Sequence, residues 1–156
     1  MERLNGILAI TLSGVRPGED IDVKMLLAEC DLHTADLTDE MMRDFLVARK
    51  GDQIVGVIGL EVVGTDALLR SLAVAEKFRR QGVAGMLMEA IQRYARSQRL
   101  TMLYLLTLTA EAFFTRQGFE HAARDAAPAG IRATREFESL CPDTAVCMRK
   151  RIRPLK

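Results

Sequence analysis

Residues 68–88 read LLRSLAVAEKFRRQGVAGMLM, and this stretch decides the fold. Residues 67–75 (ALLRSLAVA) are almost wholly apolar, as in a central strand buried on both faces. A charged loop, EKFRRQ, follows over residues 76–81. Across residues 82–98, Val83, Leu87, Ala90, Ile91 and Tyr94 recur at helical spacing opposite a polar face. Residues 101–108 (TMLYLLTL) are a second continuous apolar run. Strand, crossover helix and strand make a βαβ unit, so the two strands are expected to be parallel with a right-handed crossover.

Working upstream, residues 45–49 (FLVAR) and 54–63 (IVGVIGLEVV) read as a hairpin across the turn KGDQ. Asp20 is the expected N-cap of a helix reaching Cys30, with Val23, Leu26, Leu27 and Cys30 on one face. A short helix over residues 36–42 is expected behind Thr38, and a first strand over residues 4–12. Downstream, residues 110–117 form a short helix closed by Gly118. A strand near residues 120–125, a helix from Pro128 to about Leu140 and a last strand over residues 144–152 complete the order. The expected class is α/β (α+β), with a mixed, mostly antiparallel sheet flanked by helices.

Length and composition narrow the function. At 156 residues the chain is expected to be one domain, 1–156, able to bury about two-thirds of its unfolded surface. Twenty-two Lys and Arg face 21 Asp and Glu, so no gross charge draws it to nucleic acid or a membrane surface. Aromatics are 5% with no Trp, which argues against a stacking platform for single strands. No apolar run approaches the ~18 residues that span a bilayer, and no signal peptide is evident, so a cytoplasmic location is expected. Three cysteines, an odd count, make a disulfide framework improbable there.

The loop Arg79, Arg80, Gln81, Gly82, Val83, Ala84 carries the chemistry. It opens a helix, where backbone N–H groups lack intrahelical partners and the helix dipole favours anions. Two arginines add full charges, and Gly82 and Ala84 keep side-chain bulk away. The set suits a pyrophosphate. The competing GxxxxGK[ST] motif is absent, and Gly56, Gly59 and Gly64 lie in strand patterns rather than opening a helix.

In these residues the sequence resembles the GNAT superfamily of N-acetyltransferases. Arg79, Gly82 and Ala84 match its Gln/Arg-x-x-Gly-x-Gly/Ala loop, and Ala110, Phe114, Gly118 and Phe119 match the segment that ends in Gly-Phe. More finely, ALLRSLAVA, LYLLTLTAEAFFTRQGF and IRATREFESLCPDTAVCM resemble the small acetyltransferases of bacterial arsenic-resistance operons. The resemblance implies a V-shaped splay between the two parallel strands, acetyl-CoA as co-substrate and no metal. It implies that the pantetheine arm pairs with backbone at Leu72, Ala73 and Val74, and that cofactor contacts extend to Thr107 and Phe114. It also implies direct attack by an amine, without an acyl-enzyme. The family often has Tyr, as general acid, where this chain has Phe114, and Asn where it has Thr107.

Other residues have two readings each. Glu61, in an apolar strand, is a base facing a cleft or a surface carboxylate. Arg70, a lone charge in a buried strand, holds an acidic acceptor or an internal salt bridge, with Glu61 a possible partner. Arg132 and Arg135 clamp an anion or decorate a solvated helix face that also carries Glu136 and Glu138. Cys141 and Cys147 are core thiols or a soft-metal pair. His33 and His121 carry no motif. The expected activity is N-acetylation of a small amine, with an acidic or arsenic-containing acceptor preferred and Arg70 and Arg132 as its contacts. Acetylation of glutamate or another metabolite is one alternative. A weakly catalytic coenzyme A-binding or arsenical-sensing protein is the other. A monomer or homodimer is expected.

Overall fold

The computed structural model describes residues 3, 4 and 7–155, with side chains from residue 9 onward. In chain order the elements are β1 (Arg3–Leu4), β2 (Ile7–Leu8), β3 (Ile10–Gly14), α1 (Asp20–Glu29), β4 (Phe45–Lys50), β5 (Gln53–Val63), β6 (Asp66–Val74), α2 (Val83–Ser97), β7 (Met102–Thr107), α3 (Glu111–Arg116), β8 (Glu120–His121), α4 (Ala129–Arg132) and β9 (Val146–Arg151). Seven strands follow the order β3-β4-β5-β6-β7-β9-β8, while β1 and β2 pair only with each other. The pairings β3–β4, β4–β5, β7–β9 and β8–β9 are antiparallel. The pairing of β6 with β7 is parallel, as the βαβ reading requires, and its register runs from Asp66↔Met102 to Leu68↔Tyr104. No helix among the described residues is long and apolar enough to cross a membrane.

Two compact units divide the chain. One comprises Met1–Gly59 with Ser71–Ile91, the other Leu60–Arg70 with Gln92–Lys156. In the first, Val23, Leu26 and Leu27 of α1 are buried with Phe45, Val47 and Val57 of the hairpin. The hairpin needs glycine at one crossing, since a Cβ on Gly59 would stand 2.2 Å from the Phe45 ring. In the second unit, Leu68, Tyr104, Ile131, Phe137 and Cys147 form the core cluster.

Four local expectations need correction. Residues 4–12 are not one strand, because the chain reverses between Leu4 and Ile7 (residues 5 and 6 lie outside the described residues). The helix over 36–42 reduces to a 3₁₀ turn at Met41–Asp44, with the Thr38 hydroxyl accepting the Met41 N–H at 3.2 Å. The strand near residues 120–125 stops at His121, because Arg124–Ala126 coil into another 3₁₀ turn. The helix from Pro128 to Leu140 is broken. The Thr134 hydroxyl donates to the Ile131 carbonyl at 2.7 Å, and Glu136–Leu140 then widens into a π-helical turn.

Helix α1 does start at Asp20, but Glu19 holds the N-cap position and makes no side-chain cap bond. Its carboxylate serves the buried Arg49 of β4 instead. Arg49 Nε donates to Glu19 Oε2 at 3.1 Å, and Nη2 donates to Glu19 Oε1 and to the Gly14 carbonyl. The Arg49 hydrogen bond, more than any other influence, holds the Glu19 carboxyl below its ordinary value of 4.5. A depressed carboxyl adds stability above the unfolded value and loses it as pH falls through the folded one. The Tm gap between wild type and Glu19→Gln should therefore be full at pH 7 and narrow as pH drops below 4.5. A gap that stays constant to pH 3 in thermal melts would show that Glu19 and Arg49 are not linked this way.

Candidate active site

The first unit positions the loop. Strand β6 ends at Val74, a 3₁₀ turn covers Glu76–Phe78, and α2 begins at Val83. Arg80 and Gly82 adopt left-handed backbone, with φ of +65° and +82°. The first intrahelical bond here is Met86 N–H to the Gly82 carbonyl at 3.0 Å. The N–H groups of Val83, Ala84 and Gly85 thus lack helical acceptors and lie at the positive end of a fifteen-residue helix. A Cβ at Gly82 or Gly85 would meet nothing within 4 Å, so the approach is open. Val83 is buried and anchors the turn, its Cγ1 lying 3.1 Å from where a Gly56 Cβ would be. Gln81 braces the loop by donating to the Lys77 carbonyl at 3.1 Å.

Arg79 is turned back on the strand. Its Nε donates to the Val74 carbonyl at 3.0 Å, and its Nη2 lies 3.5 Å from the Cys30 sulfur. Arg80 is exposed. Along β6, Leu72 and Val74 are half-buried and Ala73 is buried, and Ser71 holds φ of +61°. A serine in left-handed backbone within a strand is the signature of a local irregularity such as a bulge.

The second unit gathers the ionisable residues. Arg70, its side chain fully buried, places Nη1 3.1 Å from Glu61 Oε1 and Nη2 3.1 Å from Glu136 Oε1. Glu61 is the more open carboxylate, 22% exposed against 11% for Glu136. The internal salt bridge is therefore the arrangement adopted, with one carboxylate more than the sequence named. Glu136, expected on a solvated helix face, is buried instead. Its burial follows from the π turn, which no apolar periodicity announces. Arg132 is exposed and donates from Nε to the Ala127 carbonyl at 2.9 Å. The Cys141 thiol donates to Glu136 Oε2 at 3.6 Å. Burial, and then the Glu136 charge, push that thiol up to about 12. Burial likewise raises Cys147.

Thr107 ends β7, and its hydroxyl accepts the Ala110 N–H at 3.0 Å, ahead of α3. Phe114 is buried, edge-on to Phe113 and Phe119 at centroid distances of 5.2 and 5.8 Å. Gly118 closes α3 with φ of +91°. Among the described residues no group of three or more His, Cys, Asp or Glu side chains could hold a metal ion. A cleft of about 380 Å³ in the first unit, lined by Arg16, Pro17, Asp20, Asp39 and Arg43 among others, contains none of the site residues expected from sequence.

The model of the acetyltransferase (GNAT) domain matches residues 42–121, which include the loop just described. The chain belongs to the GNAT acetyltransferase family. A curated N-acetyltransferase of Chlorobaculum tepidum, itself uncharacterized, is 31% identical over 93 residues, 59% of this chain and 59% of that protein. The N-acetylglutamate synthase of Neisseria gonorrhoeae, solved with coenzyme A and N-acetylglutamate, superposes with a TM-score of 0.81 at 17% identity. That match covers 93% of this chain and 35% of the synthase chain. Ard1 of Thermoplasma volcanium gives a TM-score of 0.73 at 23% identity, over 96% of this chain and all of that one. These likenesses establish the mixed α/β GNAT fold. The chain thus spans about three-fifths of its curated relative and about a third of the synthase.

Proposed function

We propose that this chain, acting as one domain over residues 1–156, transfers the acetyl group of acetyl-CoA to a small amine by direct attack. The observation that carries this reading is the loop of residues 79–84, with left-handed backbone at Arg80 and Gly82 and open space at Gly82, at a helix start inside the family-matched segment. In the proposal, Arg80 and the N–H groups of Gly82, Val83 and Ala84 hold the pyrophosphate, while Arg79 and Gln81 brace the loop. Backbone at Leu72, Ala73 and Val74 pairs with the pantetheine arm as an added strand would, and an N–H there polarises the thioester carbonyl. Thr107 and Phe114 are assigned to the cofactor on the resemblance alone.

The amine nitrogen bonds to the carbonyl carbon, and the carbon–sulfur bond breaks. Glu61 takes the amine proton through a water, and coenzyme A leaves as a thiolate. A buried phenylalanine has no proton to give, and an ordinary thiol value of about 8.5 makes an unprotonated leaving group tolerable. The acceptor we propose is amino-acid-like with an acidic group, and Arg132 is its cation. Likeness to the synthase solved with N-acetylglutamate supports a glutamate-like molecule. Resemblance to the acetyltransferases of arsenic operons supports an arsenic-containing analogue. Arg70, already held by two carboxylates, serves the base rather than the acceptor. A second reading, a coenzyme A binder without turnover, is favoured by Phe114 alone.

Direct transfer has a sharp consequence. A thiol raised to about 12 is not a nucleophile at neutral pH, so Cys141 is inert. A variant with Cys30, Cys141 and Cys147 all changed to Ser should keep kcat within about tenfold, the allowance covering lost packing at half-buried and buried sites. Intact-mass spectra after mixing with acetyl-CoA should show unmodified protein. An acetylated cysteine on the reaction path would contradict direct attack.

A further inference from the structure

We infer that Glu136 is a positioning residue for acetyl transfer, setting the orientation of Glu61 through Arg70. The inference rests on the reading of Glu61 as the base. The guanidinium is fully enclosed and presents one nitrogen to each carboxylate at 3.1 Å. Its planar fork has few ways to satisfy both, so fixing one end fixes the other. Without Glu136, one end of the guanidinium fork is released and Glu61 loses the orientation that the other end imposes.

The far end of the chain is built to hold Glu136 in place. Glu136 opens the π-helical turn, and such turns recur at functional sites. The Cys141 N–H donates to the Glu136 carbonyl at 3.0 Å, and the Cys141 thiol donates to its Oε2. The Phe137 N–H donates to the Thr134 hydroxyl, which ties the turn to the helix before it. Arg70 comes from β6 and Cys141 from the segment after the turn. The charge of Arg124, from its 3₁₀ turn, also acts on the Cys141 end. Glu61, the more exposed carboxylate, is the end that can receive a proton from outside the cluster.

A double-mutant cycle on kcat separates this role from a structural one. It uses the full chain, saturating acetyl-CoA and the fastest acceptor among L-glutamate, glycine, spermidine and a short peptide. Glu61→Gln should lower kcat about a hundredfold, the scale of a lost general base. Glu136→Gln should lower it about tenfold, with the acetyl-CoA KM within about twofold. The double variant should match Glu61→Gln within about twofold, because Glu136 then has no base to position. If the two losses multiply instead, or if Glu136→Gln turns over like wild type, the inference is overturned. Wild-type speed in Glu61→Gln would remove the base reading itself, a separate result. Should Glu136→Gln not fold, Glu136→Asp takes its place, keeping the charge but falling short of Arg70, with the same non-multiplying loss expected.

Discussion

Gly82→Asp is expected to weaken acetyl-CoA binding by about a hundredfold while the protein stays folded. The backbone at Gly82 has φ of +82°, and the space around a new Cβ is open, so no internal clash unfolds the loop. Asp is among the residues that tolerate left-handed backbone best. What changes is charge. A carboxylate within about 5 Å of the pyrophosphate, at a partly solvated site, opposes it by roughly 2–3 kcal/mol. At about 1.4 kcal/mol per factor of ten, that is a loss of thirtyfold to a hundredfold or more. Gly82→Asn carries the same strain and nearly the same bulk without the charge, and should lose less than about tenfold. Isothermal titration distinguishes the two. Unchanged affinity in folded Gly82→Asp would place the phosphates elsewhere.

The second large effect is on stability. Arg70→Leu should lower Tm by about 10 °C, because it removes the buried guanidinium that bridges Glu61 and Glu136. Breaking a buried pair costs about 3–5 kcal/mol, and the lower end applies because both carboxylates keep some solvent. Each kcal/mol corresponds to roughly 2–4 °C in a chain of this size. Changing Arg70, Glu61 and Glu136 together to Leu should recover most of the loss, since an apolar replacement of a whole buried ion cluster is often neutral or better. If the triple variant melts as low as Arg70→Leu alone, the loss comes from shape rather than from orphaned charge.

The legible parts of this molecule are those where one local rule acts unopposed. Phe45–Lys50 and Gln53–Val63 pair as the hairpin pattern predicts. The apolar runs behind Asp66–Val74 and Met102–Thr107 form the parallel pair. The loop at 79–84 was readable because glycine, small residues and arginines coincide at a helix start. Arg70 was readable only in part. A charge in a buried strand demands an anion, and Glu61 is close in sequence on the adjoining hairpin arm, so one partner could be named. Glu136 could not, because its place depends on where a helix breaks. The pattern of residues 128–140 favours a continuous helix, and a single hydroxyl at Thr134 diverts it into a π turn. At the N-terminus, the loose alternation of residues 4–12 suggested one strand where Arg3–Leu4 and Ile7–Leu8 pair antiparallel instead.

In the proposed reaction the chain moves an acetyl group from coenzyme A to nitrogen. The direct measurement is release of free coenzyme A thiol from acetyl-CoA by the full chain, with and without L-glutamate, glycine, spermidine or a short peptide, and with product mass read in parallel. Transfer predicts thiol release that depends on one of these amines and matches, mole for mole, an amine heavier by one acetyl group. Acetyl-CoA binding without amine-dependent thiol release across the panel would contradict it, and would leave a coenzyme A-binding protein in place of an enzyme.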